Sequence, residues 1–193
     1  MIAGSGASKH MVTRVGILCL LAATLLPIAA SAQRGSAQAA TTTPPAVWLQ
    51  TELTDVNSGE TFTLADFAGT PILLESFAVW CPVCLSQQLQ IEGLHSTPIS
   101  FVSVSVDTDP HESAAEVVCH TPHHGFADYD HWHYAVAPVA LTRALVSAFG
   151  PVVASVPSAP VILICADQSA RLLRSGVKRV AELEQELQRG CAA

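Results

Sequence analysis

Two cysteines spaced Cys-x-x-Cys, Cys81 and Cys84, stand directly behind an apolar run and a tryptophan in the stretch Glu75-Ser-Phe-Ala-Val-Trp-Cys-Pro-Val-Cys84. Such a pair can be half of a zinc site, a structural staple or a redox dithiol. Zinc in a structural site takes four ligands, commonly from a second Cys-x-x-Cys or a His pair at fixed spacing, and this chain has no second Cys-x-x-Cys. The local pattern favours sulfur chemistry. Pro71 to Phe77 reads as a buried strand broken only by Glu75, and Pro82 occupies a favoured first-turn position of a helix. Cys81 would then sit at a helix N-terminus, where free N–H groups and the helix dipole stabilise a thiolate. Cys84, one turn in, would be the more buried resolving thiol. The expectation is an exposed nucleophile at Cys81 that forms a mixed disulfide, which Cys84 resolves.

The pattern around this pair is that of an α/β domain. Trp48–Thr54 and Thr61–Leu64 flank the turn cluster Asp55-Val-Asn-Ser-Gly-Glu60 and read as a β-hairpin. Asp66–Gly69 reads as a turn. Helical spacing from Val83 to Leu94 runs through Leu85, Leu89 and Ile91. Ile99–Val106 alternates apolar residues with serine as a strand does, and Glu112–Cys119 reads as a helix. Beyond a polar, His-rich stretch come a strand over Trp132–Val136 and a helix over Val139–Phe149 closed by Gly150. A buried strand over Val161–Cys165, a partner over Arg171–Leu173 and a last helix over Val180–Leu187 complete the order β-β-β-α-β-α-β-α-β-β-α. That order predicts a mixed sheet with helices on both faces.

The N-terminus is of another kind. Lys9 and Arg14 precede an apolar run from Val15 to Leu26, followed by Ala30-Ser-Ala32. A basic start, a short apolar stretch and a small-residue site form a signal-peptide pattern over 1–32, with cleavage expected after Ala32. If it is not cleaved, the segment would instead retain the protein at the membrane. Residues 33–45 are rich in Ala, Thr and Pro and read as a flexible linker, leaving 46–193 as the folded domain. Loss of 1–32 removes two basic residues and no acid, so the remainder is more acidic than the −7 of the whole chain. An acidic surface speaks against nucleic acid as a partner. Export also makes disulfide chemistry the first expectation for the cysteines that remain: Cys81, Cys84, Cys119, Cys165 and Cys191.

The segment Phe77-Ala-Val-Trp-Cys-Pro-Val-Cys84 resembles the active site of the thioredoxin superfamily. The wider string Thr61-Phe-Thr-Leu-Ala-Asp-Phe-Ala-Gly-Thr-Pro-Ile-Leu-Leu-Glu-Ser-Phe77 is similar to its exported TlpA-like branch. The resemblance covers about Val47 to Leu187. It implies an α/β thioredoxin-like fold with an extra N-terminal β-hairpin and a protein thiol–disulfide oxidoreductase working outside the cytoplasm. The implied catalytic residues are Cys81, Cys84, Glu75 and Pro160. Glu75, six residues before Cys81, takes the place of the family's buried acid and would accept the proton of Cys84. Pro160 is the candidate for the family's cis-proline, with Pro157 as its rival. A Thr commonly follows that proline and an Asp commonly ends the strand, whereas Val161 and Cys165 stand here.

No organic cofactor or metal is expected, only the Cys81–Cys84 disulfide itself. The expected partners are protein thiols and disulfides, and a membrane electron carrier if the protein is a reductase; a monomer is expected. In a thioredoxin-like fold the end of the 161–165 strand and the end of the last helix meet at one pole, so Cys165 and Cys191 could be bridged. Cys119 would be left over as a semi-buried helix residue. Two alternatives stand beside this reading. His120, His123, His124, His131 and His133, with the cysteine pair, suggest copper delivery like that of Sco-type chaperones, although those carry a Cys-x-x-x-Cys pair. The other alternative is a non-catalytic thioredoxin-like binding domain.

Overall fold

The computed structural model describes residues 46–191. The expected signal segment 1–32 and the whole of the linker 33–45 therefore lie outside the described residues. Within them, β1 (Leu53–Thr54) and β2 (Thr61–Phe62) form the N-terminal antiparallel pair, and a 3-10 turn over Leu64–Phe67 replaces the simple turn expected there. There follow β3 (Ile72–Phe77), α1 (Pro82–His95), β4 (Val102–Asp107), α2 (Ala114–His123) and β5 (Trp132–Val136). The chain ends with α3 (Val139–Phe149), β6 (Val161–Ile164), β7 (Ala170–Leu172) and α4 (Val180–Arg189). No helix among the described residues is long and apolar enough to cross a membrane.

The main sheet has the order β5-β4-β3-β6-β7. β3, β4 and β5 are parallel, while β6 runs antiparallel to β3 and β7 antiparallel to β6. Every residue of β3 and β4 is buried, as strands covered on both faces must be. Alternation then divides their side chains between two cores. Leu73 and Phe77 face a cluster with Ile91 and Leu94 of α1, Val117 of α2, and Leu183 and Leu187 of α4. Ile72 and Leu74 face the other cluster, with Leu141 and Leu145 of α3 and with Leu49, Leu53 and Leu64 of the N-terminal segment. Glu75 shares its parity with Leu73 and Phe77, so it points to the α1 side.

Two devices tie the ends of the chain to this sheet. Asp55 is 4% exposed; its Oδ1 accepts the N–H groups of Asn57 and Ser58, and its Oδ2 accepts that of Tyr134 on β5. His133 Nδ1 lies 3.4 Å from Oδ2, and the hydrogen bonds from His133, Ser58, Tyr134 and Asn57 outweigh burial to hold the Asp55 pKa down at about 2. At the other end, α4 lies close over α1: a Cβ on Gly93 would approach Val180 Cγ2 to 2.9 Å, so only glycine fits the approach.

Cys165 and Cys191 form a disulfide with Cα atoms 5.9 Å apart. The bridge ties the residue after β6 to the residue beyond the Gly190 C-cap of α4. Its 26-residue separation sets the expected effect of removal: the C165S/C191S variant should lose about 3–4 kcal/mol if the bridge acts by restricting the unfolded chain. Urea unfolding would read this as a lower midpoint, and an unchanged midpoint would show the bridge to be energetically idle.

Candidate active site

The chain leaves β3 at Phe77, turns through Ala78 and enters α1 at Pro82. Cys81 is the N-cap: its sulfur accepts the N–H of Cys84 at 3.1 Å, and Pro82 takes the first-turn position, where a missing N–H costs nothing. Cys81 and Cys84 are joined as a disulfide with Cα atoms 5.3 Å apart. The expectation of an exposed Cys81 is corrected. It is 1% exposed and Cys84 is wholly buried, while their neighbour Trp80 is 55% exposed. The cause is packing: both sulfurs belong to the α1-side core, bordered by Val79, Val83 and Val156.

The turn is held from the β4–α2 side by acids that its own sequence does not contain. Glu112 Oε2 accepts the Val79 N–H at 2.7 Å, and Asp109 Oδ2 accepts the Trp80 indole N–H at 2.7 Å. Asp107 accepts the Asp109 N–H at 2.9 Å through Oδ1, and its buried Oδ2 has no partner among the described residues. Burial, together with the neighbouring Glu112 and Asp109 charges, pushes the Asp107 carboxyl up to about 7.

Glu75 lies in the middle of the sheet, fully buried on the central strand β3 and not at an edge. Its Oε2 accepts the Ser105 hydroxyl at 3.3 Å, and its Oε1 is unpartnered. Burial raises its pKa to about 8, against the opposing pull of Ser105, Lys178 and Gln88. Lys178 is itself 3% exposed and donates to the Ala159 carbonyl at 3.0 Å. Gln87 of α1 holds it there by gripping its backbone N–H at 2.7 Å and its C=O at 3.2 Å. Burial lowers the Lys178 pKa to about 8, partly offset by the Glu75 charge.

Pro160 is not the cis-proline. Among the described residues the cis bond is Val156–Pro157, and the residue after it is Ser158, a hydroxyl residue, not Val161. The segment between cis bond and strand is longer than proximity suggested. Ala159 takes a left-handed φ of 44°, and the Pro160 carbonyl already accepts the Ser76 N–H, so Pro160 extends the β6–β3 ladder. Because β6 is antiparallel to β3, residues 157–160 lie at the end of β3 from which the chain proceeds to Cys81.

The five histidines do not all converge: His120, His123 and His124 are neighbours at the end of α2, with ring centroids 4.7 and 4.8 Å apart. His133 sits with Asp55 and His131 is exposed. His120 is buried, because α2 runs on to His123 where the sequence suggested a polar loop. Among the described residues no three His, Cys, Asp or Glu side chains are gathered to hold a metal ion. Cys119, expected half-buried, is exposed and free. It lines a groove of about 580 Å³ with Val79, His120, His123 and His124.

Lys178, Gln87, Gln88, Asp109 and Glu112 carry no motif and were missed from sequence. The one available signal was a polar pair inside the α1 stripe. The buried face of α1 is Cys84, Gln87, Gln88, Ile91 and Leu94, whereas Leu89, assigned to the apolar spacing, is 47% exposed.

Comparison with known proteins agrees with this architecture. A thioredoxin-family thiol:disulfide interchange protein from Chlorobium tepidum superposes with a TM-score of 0.55 at 20% identity, covering 74% of this chain and 93% of that one. A secreted Mycobacterium tuberculosis disulfide oxidoreductase superposes at 0.57 with 14% identity, covering 74% and 98%. An exposed lipoprotein thioredoxin from Streptococcus pneumoniae does so at 0.53 with 23% identity, covering 72% and 98%. No curated protein matches the chain by sequence. The family model described as Redoxin matches residues 35–173, well over half of the chain. With the strand–turn–helix dithiol and the mixed five-stranded sheet, that match makes the chain a member of the Redoxin family with a thioredoxin-like fold.

Proposed function

We propose that this redox domain is a TlpA-like protein thiol–disulfide oxidoreductase acting outside the cytoplasm through Cys81 and Cys84. The observation that carries the reading is a Cys-x-x-Cys disulfide whose first sulfur caps a helix and whose central strand holds a buried acid on the same face. In the reducing direction, the Cys81 thiolate attacks a disulfide of the partner protein, forming a mixed disulfide and expelling one partner thiolate. Glu75 takes the proton of Cys84. The Cys84 thiolate then attacks the Cys81 sulfur, closing the Cys81–Cys84 disulfide and releasing the second partner thiolate, which takes up a proton. Two electrons pass to the partner, and oxidation is the same sequence reversed. The N-cap geometry favours Cys81 as the leaving thiolate, since its sulfur already receives an N–H bond from the first turn.

Export is supported by the signal-like pattern of residues 1–32 and by the secreted relative among the structural neighbours. No cofactor is required by the exchange. A membrane electron carrier would be needed only to recharge a reductase.

Equilibration of the protein with a glutathione or dithiothreitol series tests the proposal. Cys81–Cys84 is expected to titrate as a reversible two-electron couple between about −120 and −270 mV, the negative end marking a reductase and the positive end an oxidase. A pair that cannot be reduced without unfolding the protein would overturn the reading.

A further inference from the structure

Behind Glu75 lies a second layer that the exchange reaction as written does not use. Gln88 of α1 is fully buried, and its Nε2 has no partner within ordinary hydrogen-bond limits. Glu75 Oε1 is an orphan acceptor as well, and a Gln88 amide donating to that carboxyl lowers its pKa. The other end of the same amide is fixed: Gln88 Oε1 lies 2.8 Å from His120 Nε2. His120 is 6% exposed and set against Phe77, Phe126 and His124, with ring centroids at 5.5, 6.1 and 4.7 Å. It also borders the 580 Å³ groove that opens beside Val79.

We propose that His120 is a positioning residue for Glu75: its Nε2–H holds the Gln88 carbonyl and so turns the Gln88 NH2 toward the free carboxylate oxygen. An amide has two faces and one rotor. With Nε2 as donor, the carbonyl must face His120, which leaves the NH2 for Glu75. With the proton on Nδ1, Nε2 becomes an acceptor, the amide reverses, and a carbonyl dipole confronts the carboxylate. The His120 tautomer thus sets which charge state of Glu75 is favoured. The imidazole is neutral near pH 7, because burial and the neighbouring His124 and His123 lower its pKa to about 4, so it has a single N–H to place. The groups facing Glu75 from the other elements are Ser105 of β4, Tyr134 of β5 and Lys178 before α4; none of them lies on α2. Among the described residues the hydrogen bond that leads from this layer to α2 and its groove is the Gln88–His120 link.

The inference rests on Glu75 being the proton acceptor, and its test reads the carboxyl directly so that the two can fail separately. In reduced protein carrying 13C-labelled glutamate, the Glu75 carboxyl is titrated by NMR in wild type, His120→Leu, His120→Gln, Gln88→Leu and the H120L/Q88L double variant. H120L is expected to raise the Glu75 pKa by about one unit through loss of an oriented donor. H120Q, whose amide can still donate, should return it most of the way. Q88L should match H120L, and the double variant should shift no further than Q88L alone. The pH midpoint of the exchange rate should move with the carboxyl titration. An unshifted Glu75 in both H120L and Q88L overturns the proposal. So does an additive double variant, because His120 would then act by another route.

Discussion

Insulin reduction driven by dithiothreitol should fall to the uncatalysed rate when Cys81 is replaced by serine. A serine hydroxyl at the N-cap can still accept the N–H of residue 84, so the helix start and the fold should survive. What is lost is the only sulfur positioned at the end of the helix dipole, since Cys84 lies one turn inside and wholly buried. C84S should differ in kind. Attack by Cys81 remains possible, so the variant should accumulate mixed disulfides with its substrates, visible as higher-mass species on non-reducing gels. Cys81 is itself 1% exposed in the oxidised state, so attack on a large substrate requires local movement around the dithiol. Exchange unchanged in C81S would remove the dithiol from the reaction altogether.

Glu75→Gln should make the protein more stable and slower at once. The folded pKa of Glu75 is about 8, against the ordinary 4.5 of an unburied glutamate. Between those values the folded state holds a proton that the unfolded chain has released, so wild-type stability falls as pH rises from about 4.5 to about 8 and levels off above. At 1.36 kcal/mol per unit the full effect is on the order of 5 kcal/mol. Glutamine cannot ionise and removes this slope. E75Q should therefore match wild type near pH 4.5 and exceed it by several kcal/mol at pH 8 and above, read by urea unfolding across pH. The same variant lacks a proton acceptor for Cys84, and resolution of the mixed disulfide should slow by roughly 10²-fold. Parallel pH–stability curves for the two proteins would show that Glu75 is not the buried acid of this fold.

Much of this was readable from the chain because it depends on short-range patterns. The strand Ile72–Phe77, the Pro82 helix start, the Gly150 stop and the β-α order are all local, and their assembly into a mixed sheet follows from the order alone. Glu75 could be placed because the resemblance puts a buried acid six residues before the first cysteine and strand alternation gives its face. Pro160 could not, because its choice over Pro157 rested on distance to the strand, and the left-handed Ala159 adds a bend that no composition signals. The face of α1 was misjudged for a similar reason. Periodicity weighed leucines against polar residues, whereas the core takes Gln87 and Gln88, whose amides are needed by Lys178 and His120. The burial of Cys81 depends on its place in the α1-side core, which is assembled from several separate segments of the chain. His120 was read into the polar, His-rich stretch after Cys119, yet α2 runs on to His123 with Pro122 in its last turn.

The two disulfides occupy opposite poles of the sheet. β3 and β6 are antiparallel, so Cys165 follows the end of β6 next to the start of β3, while Cys81 follows the end of β3. A substrate docked at Trp80 is separated from the Cys165–Cys191 bond by the length of a central strand, and Cys119, the free thiol among the described residues, lies on the Val79 side. Among the described residues no cysteine lies along that strand to link the two bonds. The proposed redox pair and the Cys165–Cys191 cross-link are thus kept apart within a single chain by the sheet that both of them cap.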